Sequence, residues 1–256
     1  MNETTLFKMK QMKLYGMHGA FLSAIETGKA DSYTQDELVA MLTEAEYDDR
    51  ITRRINRAIK NARFRYKASI ENLVYESTRN MDKNKMIRFA SCDFVKKSEN
   101  ILVTGSTGVG KSYIATALGY QACIEAYRVL YYNTAKLFAK LKMAKADGSY
   151  LKELAKIERH HLLILDDFGL QPIDNQNRLT LLEIIEDRHG KGSMIVTSQL
   201  PVSQWYGIIG EKTVADAVMD RIVHQAHRIE LQGESMRKKR RNEASEVTMN
   251  KETVNH

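Results

Sequence analysis

The chain has 256 residues, 43% of them hydrophobic, and a formal net charge of +7. That apolar content supports one sizeable α/β core with a small appendage and excludes a fibrous or wholly disordered chain. The positive excess bears on partners such as nucleic acid or acidic surfaces, and not on fold.

The N-terminus "MNETTLFKMKQMK" lacks the continuous apolar segment of a signal peptide, and no apolar run approaches the roughly 20 residues of a membrane-spanning helix. A soluble, cytoplasmic protein is expected. From Thr5 to about Asn84 the pattern is helical and polar, a small all-α domain over residues 1–84. In "TQDE", Thr34 and Glu37 form a capping box ahead of Leu38, Val39, Met41 and Leu42.

The segment "RITRRINRAIKNARFRYK" carries eight basic residues, Arg50, Arg53, Arg54, Arg57, Lys60, Arg63, Arg65 and Lys67, and no acidic one. At 100° per residue, Ile51, Ile55, Ala58, Ile59, Ala62 and Tyr66 share one face, and Arg50, Arg53, Arg54 and Arg57 the other. The segment predicts an amphipathic helix whose cationic back is either a solvated face or a surface for DNA phosphates.

From about Lys85 short apolar runs alternate with helical stretches, which predicts βαβ units and a five-stranded parallel sheet in a domain over residues 85–241. The expected strands are 101–104, 128–132, 162–166, 193–198 and 227–231. Pro172 and Pro201 fall in the loops after strands. Cys92 and Cys123 match no paired metal spacing and read as reduced, structural residues. Residues 242–256 have almost no apolar content and are expected to be disordered.

"GSTGVGKS" fits the phosphate-loop pattern, with Gly105, Gly110, Lys111 and Ser112 in the fixed places, after the β-branched run "ILVT" and before the helix-like "KSYIATALGYQA". Glycines let the backbone wrap phosphates, whose charge meets successive N–H groups and a helix N-terminus. Lys111 would reach the β and γ phosphates and the Ser112 hydroxyl would ligate Mg²⁺. Further on, "HLLILDDFG" delivers Asp166 and Asp167 at a strand end. Asp166 reads as the metal-side carboxylate and Asp167 as a candidate general base. The run "SMIVTSQLP" ends in the polar residues Thr197, Ser198 and Gln199, where Ser198 or Gln199 reads either as positioning a γ-phosphate or water or as part of a plain strand-end turn. Arg221, in "DAVMDRIVHQAHRIEL", reads either as a surface ion-pair partner or, in a ring or spiral of subunits, as an arginine finger for the neighbour's site. For the adenine, the residues from Phe89 to Phe94 are candidates by position.

The order phosphate loop, "LLILDD", "TSQ" and a helix bearing "DR" resembles the AAA+ ATPases of the initiator and helicase-loader group. More closely, "ENILVTGSTGVGKS", "LLILDDFGLQPID", "IVTSQLP" and "VMDRIVHQAHRIELQGESMRK" resemble the IstB-like ATPases, helper proteins of the IS21 family of insertion sequences, and the N-terminal "KMKQMKLYGMHGAFLSAI" resembles the start of that family's helical domain. The resemblance implies ATP-dependent homo-oligomeric assembly on double-stranded target DNA and recruitment of a cognate transposase. It implies ATP and Mg²⁺ as cofactors, held by Gly105, Ser106, Thr107, Gly108, Val109, Gly110, Lys111 and Ser112, with Asp166 on the metal side. Asp167 stands where most AAA+ proteins carry a catalytic glutamate, which implies slow hydrolysis. Arg221 matches the arginine-finger position and Arg237 that of a second sensor. The run Arg237, Lys238, Lys239, Arg240, Arg241 reads either as a solvated tail or as a further DNA contact. Rival readings are a DnaC-like helicase loader on single-stranded DNA, a small-molecule P-loop kinase, and a nucleotide-binding scaffold without hydrolysis.

Overall fold

The strand-forming runs assemble into one five-stranded parallel sheet in a computed structural model of the chain, which describes residues 2–75, 79–224 and 226–236. Contacts divide the chain into two compact units, residues 1–57 and residues from Ala58 onward. The division falls inside a long helix, earlier than residue 84. Residues 58–75 belong with the second unit because Ala62 and Leu73, together with Ala58, Ile59, Phe64 and Ile70, pack into its core.

The first unit contains α1 (Asn2–Gln11), α2 (Tyr15–Glu26) and most of α3 (Gln35–Ala62). The capping box starts α3: Thr34 N and Oγ1 donate to Glu37 Oε2 at 2.8 and 2.9 Å, and Glu37 N donates back to Thr34 Oγ1. Glu46, buried on α3, accepts from the Gly16 and Met17 amides at 2.9 and 3.3 Å, satisfying two orphan donors at the start of α2. Burial pushes the Glu46 carboxyl up, but Arg50 and those amides outweigh it and hold the group below its usual range.

In the second unit, α4 (Lys83–Ala90) and α5 (Asp93–Lys96) precede β1 (Asn100–Gly105), α6 (Lys111–Ile124), β2 (Val129–Asn133), α7 (Thr134–Ala146), α8 (Tyr150–Glu158), β3 (Leu162–Phe168), α9 (Asn175–Arg188), β4 (Ser193–Ser198), α10 (Trp205–Ile209), α11 (Lys212–Val223) and β5 (Ala226–Leu231). The strand order is β2-β3-β4-β1-β5, every pairing parallel. The strands read as continuous apolar runs because both faces are covered. Ile101, Val103, Leu162 and Ile164 point into the core beneath α4 and α6, whereas Leu102, Leu163, Leu165 and Val196 point into the opposite core. Each such fully buried side chain is worth about 1.5–3 kcal/mol against exposure.

Cys92 and Cys123 are buried free thiols, each pushed up to about 12, by burial above all. No helix among the described residues is long and apolar enough to cross a membrane.

The basic segment departs from its sequence pattern at its end. α3 stops at Ala62, and Arg63 turns the chain with φ of 60°. Arg65, Tyr66 and Lys67 therefore leave the helix, and Tyr66 is not on its apolar face. The back of α3 is also less cationic than the segment alone implies. Arg50 pairs with Glu46 at 2.7 Å and Arg53 with Asp49 at 2.6 Å, both acids lying one turn earlier.

Candidate nucleotide site

β1 ends at Gly105 and α6 begins at Lys111, so the loop between them sits at the carboxyl end of the sheet, where open parallel sheets bind ligands. Gly105, Gly108 and Gly110 have φ of 144°, 86° and 101°, which favour glycine. A Cβ on Gly105 would strike the Leu231 carbonyl oxygen and one on Gly108 the Ser235 side chain. The chain after β5 thus backs the loop, with Met236 N donating to Gly108 O at 3.0 Å.

A cleft of about 550 Å³ opens beside it, lined by Thr107, Gly108, Gly110, Lys111 and Ser112 from the loop, Asp167 and Gln199 from strand ends, and Arg65, Lys67, Leu73, Val74, Arg79, Tyr113 and Met236 among others. Among the described residues four cations and one carboxylate line it, a balance suited to a polyanion. Gly105, Ser106 and Val109 shape the loop without lining the cleft. Lys111 folds back, its Nζ donating to Gly105 O and Ser106 O at 2.8 Å.

Asp166 and Asp167 diverge. Asp166 lies in the sheet, wholly buried, and accepts from the Tyr131 hydroxyl on Oδ2 and from Thr197 Oγ1 on Oδ1 at 2.6 Å. Asp167 has φ of 59°, which breaks strand alternation and turns its carboxylate into the cleft. There it accepts from Asn133 Nδ2 at 3.0 Å and lies 3.9 Å from Arg65 Nη1, while its amide donates to Thr197 Oγ1 at 3.0 Å. Burial and then the Asp166 charge push the Asp167 carboxyl above its ordinary value, partly offset by Arg65, Lys111 and Asn133. A raised carboxyl facing the cleft suits proton acceptance from water.

Of the two polar residues assigned to the end of β4, Gln199 lines the cleft and accepts from Thr107 Oγ1 at 2.8 Å. Ser198 does not: its buried hydroxyl donates to Phe168 O at 2.8 Å and accepts from Leu200 N at 3.1 Å. Thr197, on the other face of β4, engages both aspartates, donating to the Asp166 carboxylate and accepting from the Asp167 amide. Arg221 stands at the opposite end of the sheet. Asn100, the first residue of β1, donates to the Arg221 and Ile222 carbonyls at 3.3 and 3.2 Å, and the Arg221 guanidinium pairs with Glu186 at 3.3 Å. It cannot serve the phosphate loop of its own chain.

Phe89, Cys92 and Phe94 are buried in the core away from the cleft, so the adenine candidates there are replaced by the apolar lining of Leu73, Val74, Tyr113 and Met236. Sequence reasoning also missed Arg79, whose Nη2 donates to Val109 O and Nη1 to Val74 O, each at 2.6 Å. Of the residues assigned to DNA, Arg50, Arg53, Arg54 and Arg57 lie on α3 in the first unit, and Lys60 and Arg63 border a shallow pocket with Phe64, Tyr66, Lys67 and Tyr120. Arg65 and Lys67 line the nucleotide cleft. Arg237, Lys238, Lys239, Arg240, Arg241 and the tail 242–256 lie outside the described residues.

A parallel sheet in this order, a phosphate loop after its first strand, paired carboxylates at the carboxyl end of its third and a polar residue after its fourth define an AAA+ ATPase. Within that class the chain belongs to the family described as IstB-like ATP binding protein, whose model matches residues 7–244. It is 42% identical over 237 residues to a putative insertion sequence ATP-binding protein of Sinorhizobium fredii, spanning 93% of this chain and 97% of that one. It is 38% identical over 204 residues to the putative ATP-binding protein of insertion sequence IS1162 of Pseudomonas fluorescens, spanning 79% and 88%. Among solved structures, DnaI aligns with a TM-score of 0.55 at 25% identity, over 69% of this chain and 94% of that one. The DnaC helicase loader aligns at 0.56 and 20% identity, over 64% and 97%, a likeness of fold alone.

Proposed function

We propose that this protein is the ATP-dependent helper of an insertion-sequence transposase, acting in the cytoplasm: it assembles as a homo-oligomer on double-stranded target DNA and there recruits and stimulates the cognate transposase. The observation that carries the assembly is the position of Arg221, at the end of the sheet opposite its own phosphate loop. An arginine finger so placed acts only on a neighbour, so the site is complete only between subunits. ATP, when bound, supplies a γ-phosphate whose hydrolysis is the release signal. Gly108, Gly110 and Lys111 cradle the phosphates, and Asp167 accepts the proton of the attacking water. Ser112 and Asp166 would hold Mg²⁺, which would neutralise phosphate charge: Ser112 lines the cleft, and each oxygen of the buried Asp166 carboxylate accepts one hydroxyl, from Tyr131 or Thr197, and keeps acceptor capacity for the ion. Arg54 and Arg57 are exposed on α3 and meet DNA phosphates with little base preference. The insertion-sequence relatives favour this reading over a single-strand helicase loader.

The test is binding to a duplex and to a single strand of equal length with ATP, ADP or no nucleotide, followed by sizing. Large complexes on duplex with ATP alone are expected. A preference for the single strand, or no nucleotide effect, overturns the reading.

A further inference from the structure

The sequence pattern carries Arg65 on an amphipathic helix whose cationic residues are either solvated or DNA contacts, yet it lies in the nucleotide cleft for reasons that are local. The turn at Arg63 frees the chain from α3, and the residues flanking Arg65 are anchored. The Phe64 ring packs 6.3 Å from the rings of Tyr120 and Tyr131. It fits against Gly119 of α6, where a Cβ would come within 2.8 Å of it. On the other side, Tyr66 stacks on Tyr113, the residue after Ser112, with rings 18° from parallel. Between these two anchors the Arg65 guanidinium is delivered to Asp167, at 3.9 Å.

That contact is weak by construction. The Arg65 side chain is 54% exposed and the separation is too long for a hydrogen bond, so such a pair is worth little and exchanges readily. A phosphate offers a guanidinium two parallel charge-assisted hydrogen bonds, which the present pairing with Asp167 does not supply. Asp167 and Lys111 line the same cleft; with Asp167 accepting the proton of the attacking water, as proposed above, the γ-phosphate lies on the Asp167 side, and triphosphate differs from diphosphate there alone.

We infer that Arg65 is a specificity-determining residue of the ATP site, which leaves Asp167 to bind the terminal phosphate and so distinguishes ATP from ADP within one chain. Its place is distinct from that of Arg221, which serves a neighbour. The inference rests on ATP binding in the cleft and not on the DNA or transposase parts of the proposed function.

The experiment is equilibrium binding of fluorescent ADP and of a fluorescent β,γ-methylene analogue of ATP, both with Mg²⁺, to the full-length protein and to R65A, R65Q and R65K, without DNA. The wild type is expected to prefer the triphosphate. R65A and R65Q should lose that preference by on the order of tenfold while ADP affinity stays within about twofold, and R65K should recover part of it. R65Q, which keeps the length and polarity of the side chain, guards against a folding defect in R65A. A wild type that does not distinguish the two nucleotides, or variants that keep the preference or weaken both ligands equally, overturn the inference. Duplex binding without nucleotide is measured in parallel. If R65A flattens its salt dependence while the nucleotide preference is intact, Arg65 returns to the DNA surface. Failure of the wild type to form complexes on duplex when ATP is added refutes the proposed function and leaves the nucleotide result standing.

Discussion

The Tyr131 hydroxyl of β2 donates to Oδ2 of Asp166 on the neighbouring strand β3. Burial and this bond both push the Tyr131 phenol up, so it is a committed donor. Tyr131→Phe keeps the ring that packs against Phe64 and removes only the donor, leaving a buried carboxylate oxygen short of a partner. A loss of about 1–3 kcal/mol is expected, read as a lower urea midpoint at constant slope. An unchanged midpoint means that the carboxylate finds another donor at no cost.

Arg79 ties the phosphate loop to the segment before α4 through the Val109 and Val74 carbonyls. Arg79→Met should destabilise the protein by roughly 2–4 kcal/mol, because two carbonyls lose a charged donor. Nucleotide affinity should fall with it, since Val109 lies inside the loop. Arg79→Lys should not rescue, as a single ammonium cannot span both acceptors in the fork geometry. Thermal melts with and without ATP decide it, and a lysine variant with wild-type nucleotide stabilisation refutes the role of the fork.

The contrast between these residues and the phosphate loop shows what the sequence could carry. The strands and the loop were legible because their signals are local: β-branched apolar runs, fixed glycine spacing and a capping box that the Thr34 and Glu37 bonds reproduce. Tyr131 and Arg79 act across the sheet or between distant segments, and no periodicity announces such partners. Thr197 was within reach, because strand alternation places it on the Asp166 face and Ser198 on the other. Arg65 was misplaced for a definite reason. Apolar spacing at 100° per residue continues through Tyr66, but Arg63 adopts a left-handed conformation that the pattern does not encode, and the helix ends at Ala62.

Lys111→Ala should abolish ATP-dependent oligomers on duplex DNA while leaving the weak affinity of the nucleotide-free protein. The Lys111 ammonium donates to the Gly105 and Ser106 carbonyls. Gly105 is half-buried and Ser106 exposed, so water can replace the ammonium at both carbonyls and the loop should stay folded. Size-exclusion with light scattering, with and without ATP, is the check. Normal assembly of the variant would break the link between phosphate binding and oligomerisation.

The basic face of α3 makes a graded prediction, because its arginines are not equivalent. Arg50 and Arg53 are paired with Glu46 and Asp49, whereas Arg54 and Arg57 are exposed and join no ion pair found among the described residues. A cation already neutralised by a carboxylate releases fewer counterions on meeting a phosphate. Arg54→Ala and Arg57→Ala together should therefore weaken duplex binding similarly for all sequences and reduce the slope of log affinity against log salt by about two units, one for each lost phosphate contact. Arg53→Ala should change the slope less than either. Titrations at four salt concentrations on two unrelated duplexes separate the cases. An unchanged slope in the Arg54, Arg57 double variant makes this helix face a solvated surface and moves the DNA contact elsewhere on the chain.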